Sequence, residues 1–255
     1  MNLAQGDFGI SYNYHQPVFD VIMKYLPFTI VFSVISLILQ IGFGFLLALI
    51  SVKKINTGTD KNITRASLIV YAIPSFVIGV FLIYLFSAVL NILPSSGISS
   101  FDSDKYSFFD SFLDYSVHLI LPLITLSLAG IAVFFRYIRD NLQETFNKPF
   151  VLNLRANGIS ERMITFKHVI PNAVGPLIAV AGVELGILFG GALITEVIFA
   201  LPGMGRLTIT AILSRDYPLV VGCTFIAGVL VIISNLAADI LKAKLDKRLT
   251  KGILN

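Results

Sequence analysis

Residues 25–52 read YLPFTIVFSVISLILQIGFGFLLALISV, a run of 28 residues without a charge between Lys24 and Lys53. A helix needs about 20 apolar residues to cross the hydrocarbon core of a bilayer. The run is too long for a cleaved signal sequence and lacks the alternation of a barrel strand. It therefore predicts a membrane-spanning helix.

Four more runs along the chain are long enough to cross a bilayer, namely residues 66–101, 115–135, 172–199 and 217–238. The helix in the first of these is expected to end near Asn91, before Pro94 and a Ser-Ser-Gly turn. The run 172–199 is apolar except for Glu184 and Glu196. The sequence predicts an all-α, polytopic transmembrane helix bundle with five spans.

Composition supports a lipid environment. The chain of 255 residues is 56% hydrophobic and 13% charged, whereas a soluble domain carries about 25% charged residues. The net charge of +4 is compatible with nucleic-acid binding, but the charges lie at the ends of apolar runs. The single cysteine, Cys223, excludes a disulfide within the chain and a metal site built on thiolates. Three scattered histidines are interpreted as structural, namely His15, His118 and His168.

The basic residues predict the orientation. Segments 53–65, 136–167 and 239–255 hold 15 of the 19 Lys and Arg residues, and loops rich in Lys and Arg stay in the cytoplasm. The C-terminus is therefore expected in the cytoplasm, and five spans leave the N-terminus outside. We expect one membrane domain over residues 1–255, made of an extracytoplasmic segment at 1–26, a transmembrane core at 27–241 and a cytoplasmic tail at 242–255.

The segment LRANGISER at 154–162 lies in the longest cytoplasmic loop. It predicts a helix, a break at Gly158, a second short helix capped by Ser160, and an entry into the fourth span at Pro171. Such a bent element on the membrane surface is able to press into a groove on a soluble partner. A solvated basic loop that serves only topology is the alternative, and spacing alone leaves both open.

Several residues are candidates for a transport pathway. Glu184 lies in mid-span, where a carboxylate is costly, so it either lines a pathway or is a structural hydrogen-bond partner. Glu196 and Asp239 lie nearer span ends, and a structural role is expected for both. Pro202, Gly203 and Gly205 force a turn, after which residues 207–213 form either a gate helix or an ordered loop. Three glycines spaced by four residues are interpreted as packing positions, namely Gly182, Gly186 and Gly190.

Gly158 and Pro171, thirteen positions apart, match the cytoplasmic EAA loop of binding-protein-dependent ABC importer permeases, although 152–154 read Leu-Asn-Leu where Glu-Ala-Ala stands in that family. The chain resembles most closely the oligopeptide, dipeptide and nickel permeases. An ordered set of motifs carries this resemblance: Gly6-Asp7-Phe8-Gly9, Leu26-Pro27, Ile73-Pro74-Ser75, Leu93-Pro94-Ser95-Ser96-Gly97, Leu201-Pro202-Gly203-Met204-Gly205, Arg215-Asp216-Tyr217-Pro218 and Asn235-Leu236-Ala237-Ala238-Asp239.

The resemblance implies a permease that moves peptides or nickel and other metal chelates by alternating access. It implies three kinds of partner: two cytoplasmic ABC ATPase subunits, a second and usually paralogous permease, and an extracytoplasmic solute-binding protein. It implies no catalytic residue, cofactor or bound metal in this chain. The coupling residues are then Leu154, Arg155, Ala156, Gly158, Ser160, Glu161 and Pro171. The pathway or gate candidates are Glu184, Glu196, Pro202, Gly203, Gly205 and Asp216.

The sequence supports two alternative functions less well. A secondary transporter or channel driven by an ion gradient needs a polar constellation in mid-membrane, for which the spans offer only Glu184. An intramembrane enzyme needs paired catalytic residues, and no protease, hydrolase or nucleotide-loop motif occurs. Permeases of this family usually have six spans, with one helix before the Gly-Asp-Phe-Gly segment. The sequence is therefore expected to reflect either a late start of the reading frame or a disrupted gene.

Overall fold

The computed structural model describes residues 7–100 and 106–245, and these residues are helical apart from their connections and one isolated β-bridge between Ile10 and Pro17. The helices are α1 (Val18–Lys53), α2 (Gly58–Ala72), α3 (Ser75–Leu82, continued by a π-helical turn at Ile83–Val89), α4 (Phe108–Phe146), α5 (Pro149–Ala156), α6 (Glu161–Met163, continued by a π-helical turn at Ile164–Val169), α7 (Ile170–Ala173), α8 (Leu177–Ile198), α9 (Met204–Leu213) and α10 (Tyr217–Leu245). The all-α prediction is confirmed.

Among the residues that the structure describes, three helices are long and apolar enough to cross a bilayer alone, namely α1, α4 and α10. Two further pairs satisfy the same criterion only when each pair, bent at a short break, counts as one crossing. One pair is α2 with α3, broken at Ile73 and Pro74, and the other joins residues 161–173 to α8. The predicted five spans are reached when each bent pair is counted once.

The helices extend beyond the apolar runs that predicted them. At 1.5 Å per residue, the 36 residues of α1 and the 39 of α4 reach about 54 and 58 Å, well beyond a hydrocarbon core of about 30 Å. The run 115–135 ends before Arg136, but the helix built on it, α4, continues to Phe146. Arg, Gln and Glu are good helix formers, so a helix need not end where its apolar run does.

The fourth span begins later than expected. Pro171 lies within α7, and the chain bends by 57° before α8 begins at Leu177. Gly175 and Pro176 occupy the break, where Pro lacks the amide hydrogen that would continue the helix. The entry into the membrane helix is therefore set by Pro176 and not by Pro171. The second span ends as predicted, since Asn91 follows the helix with a left-handed φ of 52°, which suits Asn at this position.

The chain divides into two compact units. The first comprises Met1–Ser36, Ile73–Ser127 and Leu185–Ile232. One of its apolar clusters joins the start of α1 to α9 and α10 through Val18, Ile22, Leu207 and Leu219. A second cluster in the same unit forms around Phe32, Leu121, Ala192, Phe199 and Leu201.

The second unit comprises Leu37–Ala72, Leu128–Glu184 and Ile233–Asn255. Its core packs Ala48 of α1 and Phe134 of α4 against buried residues of the short helices, namely Val151, Ile164 and Val169. Gly182 of α8 lies against α10, because a Cβ there would be only 2.2 Å from the Cβ of Ala238. The predicted packing role of Gly182 is confirmed, whereas a Cβ at Gly190 would meet open space.

A buried ion pair fastens α2 to α4 within the second unit. The guanidinium of Arg139 donates to both carboxylate oxygens of Asp60, from Nε at 2.8 Å and from Nη2 at 2.9 Å. The Asp60 carboxylate also accepts the hydroxyl of Ser51 and the backbone amide of Asn56. Asp60 is 3% exposed, so these donors replace the water that its charge would otherwise require. The turn between α1 and α2 is thereby fixed to α4.

Replacing Asp60 with Asn is expected to lower the free energy of unfolding by about 3 kcal/mol, because it leaves the Arg139 guanidinium without its buried counter-charge. Thermal unfolding of the purified protein in detergent measures the loss. The matched control is Asp140→Asn, since the Asp140 side chain also pairs with Arg139 but is 58% exposed and should change stability by only about 0.5 kcal/mol. Equal losses in the two variants would contradict the structural role of the Asp60 pair.

Candidate functional site

The segment 149–173 forms the predicted bent element, which we call the elbow. Its first helix, α5, begins with Pro149 and ends at Ala156, and Gly158 then takes a left-handed φ of 76°. The hydroxyl of Ser160 accepts the amide of Met163 at 3.4 Å and caps α6. The predicted break at Gly158 and cap at Ser160 are therefore confirmed. A left-handed conformation costs little for Gly and more for any residue with a Cβ.

One ion pair spans the bend of the elbow. Arg155 at the end of α5 donates to both carboxylate oxygens of Glu161 at the start of α6, from Nε at 2.6 Å and from Nη2 at 3.2 Å. The two side chains are 45% and 64% exposed, so the pair orders the bend more than it stabilises the fold. The sequence did not reveal that these two candidate contacts for a partner bind each other.

The inner and outer faces of the elbow differ. Leu154 and Ile159 pack against the core of the second unit beside the buried Val151 and Ile164. Three apolar side chains remain exposed on the outer face, namely Leu152, Met163 and Phe166. Pro171 lies further along, inside α7. The elbow is thus fixed to its unit on one side and presents apolar groups on the other.

In the first unit, Glu196 organises the turn between α8 and α9. Its side chain is fully buried and accepts the hydroxyl of Thr29 at 2.7 Å and the backbone amide of Arg206 at 3.1 Å. The same Thr29 hydroxyl accepts the amide of Met204 at 2.8 Å. A carboxylate at the first turn of α9 also interacts favourably with the helix dipole. The sequence analysis assigned no role to Thr29, which lies in an apolar run.

The glycines of the Leu-Pro-Gly-Met-Gly motif make room for this carboxylate. A Cβ at Gly203 would lie 2.1 Å from the carboxyl carbon of Glu196, and one at Gly205 would lie 2.4 Å from the backbone of Leu193. Pro202 is half-buried and directly precedes this pair. The structure therefore brings together four of the six pathway candidates around the start of α9, and it confirms a helix where the sequence left helix and loop open.

Asp216 lies at a different place in the first unit. Its carboxylate accepts the Ser11 hydroxyl at 2.5 Å and the Asn13 amide at 3.1 Å, and it also accepts the amide of Leu219 at the start of α10. Burial raises the pKa of Asp216, but these hydrogen bonds outweigh burial, so the pKa lies below its usual value. Asp216 thus ties the N-terminal segment to α10.

Glu184, the remaining candidate, lines a cavity of about 1040 Å³ in the second unit. It is half-buried on α8, and Arg136 and Asp140 of α4 and Tyr71 of α2 line the same space. The sequence assigned Arg136 to the cytoplasmic segment 136–167 and gave no indication that it lines the same cavity as Glu184. Over residues 7–100 and 106–245, no group of three His, Cys, Asp or Glu side chains is placed to hold a metal ion.

The apolar helices, the exposed elbow and the cavity together define a multi-pass membrane protein of the transport class. Residues 40–251 match the family described as the binding-protein-dependent transport system inner membrane component. The chain belongs to this family.

Relatives with described roles match nearly the whole chain. The oligopeptide transport system permease protein AppB of Bacillus subtilis is 36% identical over 97% of this chain and 77% of its own length. The nickel import system permease protein NikB of Staphylococcus aureus is 32% identical over 97% of this chain and 70% of its own length. The resemblance to the oligopeptide, dipeptide and nickel permeases is thereby confirmed.

Among solved structures, the chain is similar to one from inward-facing conformations of the MetNI methionine ABC transporter. The TM-score is 0.71 with 14% identity, over 89% of this chain and 97% of the other. At this identity the likeness concerns the fold, and the fold is that of an ABC transporter subunit.

Replacing Gly205 with Ala is expected to lower stability by about 2 kcal/mol, because the added methyl meets the backbone of α8 and overpacks the start of α9. Thermal unfolding in detergent measures this loss. Gly190→Ala is the matched control, since its Cβ enters open space in α8 and should leave stability unchanged or raise it by up to about 1 kcal/mol. A Gly205→Ala protein as stable as the control would contradict the close approach.

Asp216 should make stability depend on pH in the acid range. Its pKa in the folded protein is lowered, so its contribution is present above the unfolded value of about 3.9 and is lost as the pH falls through the folded pKa. The difference in melting temperature between wild type and Asp216→Asn, measured from pH 7 downwards, should therefore shrink below about pH 4. A difference that stays constant to the lowest pH would show that the Asp216 charge does not stabilise this contact.

Proposed function

We propose that the chain is the transmembrane permease subunit of an ABC importer for peptides or for nickel and other metal chelates. Solute would cross by alternating access, with the energy supplied by separate ATPase subunits. The observation that carries this proposal is the family match over residues 40–251 together with an exposed, rigidly folded elbow inside that range. Relatives named as oligopeptide and nickel permeases support both classes of solute.

The elbow is suited to pass a push from a partner into the membrane helices. Its inner residues Val151 and Ile164 share one core with Ala48 of α1 and with Phe134 and Ile138 of α4. Cores are densely packed and transmit displacement instead of absorbing it. A force on the outer face of the elbow would therefore tilt the lower parts of α1 and α4 within the second unit.

The exposed Leu152, Met163 and Phe166 provide the apolar contact with an ATPase subunit. Arg155 and Glu161 hold the bend by pairing with each other, so their first role in this proposal is to keep the elbow in shape. The orientation follows from the basic segments: the elbow and the C-terminus face the cytoplasm. Two such ATPases, a second permease and an extracytoplasmic binding protein complete the assembly, in which this chain supplies one membrane domain.

The α8–α9 connection would serve the outer end of the pathway. Glu196, Gly203 and Gly205 set the direction in which α9 leaves α8, and Asp216 fixes the other end of α9 through Ser11. In this proposal these residues position α9 as a gate and do not themselves contact solute. Glu184, which faces the cavity, is the pathway residue.

A pull-down tests the assembly. The full chain, purified in mild detergent from cells that also express the ATPase genes of the same organism, should retain an ATPase subunit. A triple variant with Leu152, Met163 and Phe166 changed to Ser should lose it while still inserting into the membrane, because the apolar contact is removed. Retention of the ATPase by this variant would place the contact elsewhere.

Substitution of Gly158 tests whether the bend couples ATP hydrolysis to solute uptake. Gly158→Val should uncouple ATP hydrolysis from uptake by the assembled transporter in proteoliposomes, lowering solute moved per ATP about tenfold or more, because Val is a severe outlier at positive φ. A Cβ at this position meets open space, so a clash is not the cause. Gly158→Asn is the matched control and should keep coupling, since Asn tolerates the left-handed region. Normal uptake by the Val variant would remove the bend from the mechanism.

A further inference from the structure

The cavity in the second unit is bounded by α2, α4 and α8 and measures about 1040 Å³. Sites for small molecules usually measure about 300–1,000 Å³. The space is therefore large enough for a solute of several amino-acid residues. Every wall residue belongs to the second unit, so the site is built by one compact part of the chain.

Four charged side chains line this cavity, namely Arg136, Arg139, Asp140 and Glu184. Two of them are already paired. Arg139 binds Asp60 through Nε and Nη2 and reaches Asp140 Oδ1 from Nη1 at 3.1 Å. This group of one guanidinium and two carboxylates carries a net charge of −1, and its exposed carboxylate, Asp140, is held on one side by Arg139.

Arg136 and Glu184, unlike Arg139 and Asp140, are not paired within the described part of the chain. Neither side chain has a hydrogen-bond or ion-pair partner among the residues that the structure describes, 7–100 and 106–245. One charge is positive and the other negative, and they come from different helices, α4 and α8, into the same space. Glu184 is half-buried in its span, where an unpaired carboxylate is costly, whereas Arg136 is exposed. Each is therefore ready to bind a group of opposite sign on a solute.

We infer that this cavity binds organic zwitterions such as short unblocked peptides, with Glu184 accepting the ammonium group and Arg136 binding the carboxylate of the same molecule. The inference rests on the proposed function and adds to it the residues that read the two ends of the solute. The guanidinium donates two parallel hydrogen bonds to a carboxylate. Hydroxyl groups of Ser67, Tyr71 and Tyr137 lie in the same wall and offer partners for the amide groups between the two ends.

A bare divalent metal ion fits the wall less well. Nickel prefers imidazole, thiolate or several oxygen ligands, and the described wall residues include neither His nor Cys. The carboxylate of Asp140 is held by Arg139, which leaves Glu184 as the free anionic ligand. The wall thus favours a solute with one positive and one negative end over a free cation.

The binding test uses the full-length chain in lipid nanodiscs and calorimetric titration with trialanine, N-acetyl-trialanine, trialanine amide and nickel chloride. Blocking either end of trialanine removes one charge-assisted hydrogen-bonded contact, so each blocked peptide should bind wild type about tenfold more weakly or worse. Nickel chloride should not compete with trialanine. This first comparison needs no variant, so it does not depend on whether a substitution folds.

Single substitutions test which of the two residues binds which end of the peptide. Glu184→Gln should erase the difference between trialanine and its N-acetyl form but keep the difference from the amide, and Arg136→Gln should do the reverse. Glu144→Gln is the matched control, because Glu144 lies on the same helix as Arg136, pairs with the exposed Lys148 and is outside the cavity wall. It should bind all four probes like wild type.

Equal binding of the free and blocked peptides by wild type, or no binding of trialanine, would overturn the inference. So would a Glu144→Gln protein that changes as Glu184→Gln does. Uptake by the assembled transporter separates this outcome from the proposed function. ATP-driven uptake that accepts blocked peptides equally would refute the site but keep the permease. The expected binding pattern without ATP-driven uptake would keep the site and refute the permease.

Discussion

Buried carboxylates that accept backbone amides at the connections are the constraint on which the fold of this chain depends. A buried turn has no water to satisfy its amide groups, and a carboxylate needs donors when it is buried. Three buried carboxylates of the described residues each accept a backbone amide at such a connection. Asp60 holds the turn after α1, Glu196 the turn after α8, and Asp216 the turn before α10. Each carboxylate also accepts a side-chain hydroxyl, from Ser51, Thr29 and Ser11 respectively.

This arrangement explains which parts of the structure the sequence predicted. Uncharged runs predicted the membrane helices because the hydrophobicity of a span can be read from a continuous stretch of sequence. Gly158, Ser160 and Asn91 marked breaks because their conformational preferences depend on the residue itself and its nearest neighbours. Helix ends were less predictable, as the extension of α4 to Phe146 shows. The partners of Glu196 and Asp216 were not predictable, because Thr29 lies 167 positions and Ser11 205 positions away along the chain.

Of the candidate site, the sequence predicted the elbow but not the cavity. The elbow was found with its bend because its signal, a Gly followed by a capping Ser, is contained in a few residues. The cavity was not predicted, because its wall combines residues of α2, α4 and α8, and Thr64 and Glu184 in that wall are 120 positions apart along the chain. Elbow and cavity belong to one unit and share the helix α4. The proposed coupling element and the proposed binding site therefore share the core of one unit.

The contact of Gly182 with Ala238 sets the distance between two helices of that core. The methyl of Ala238 occupies the place where a side chain at 182 would stand, and the carbonyl of Ser234 lies 3.2 Å from the same point. Small residues allow two helix backbones to approach this closely. A larger side chain at either position would therefore overpack the contact and force α8 and α10 apart within the second unit.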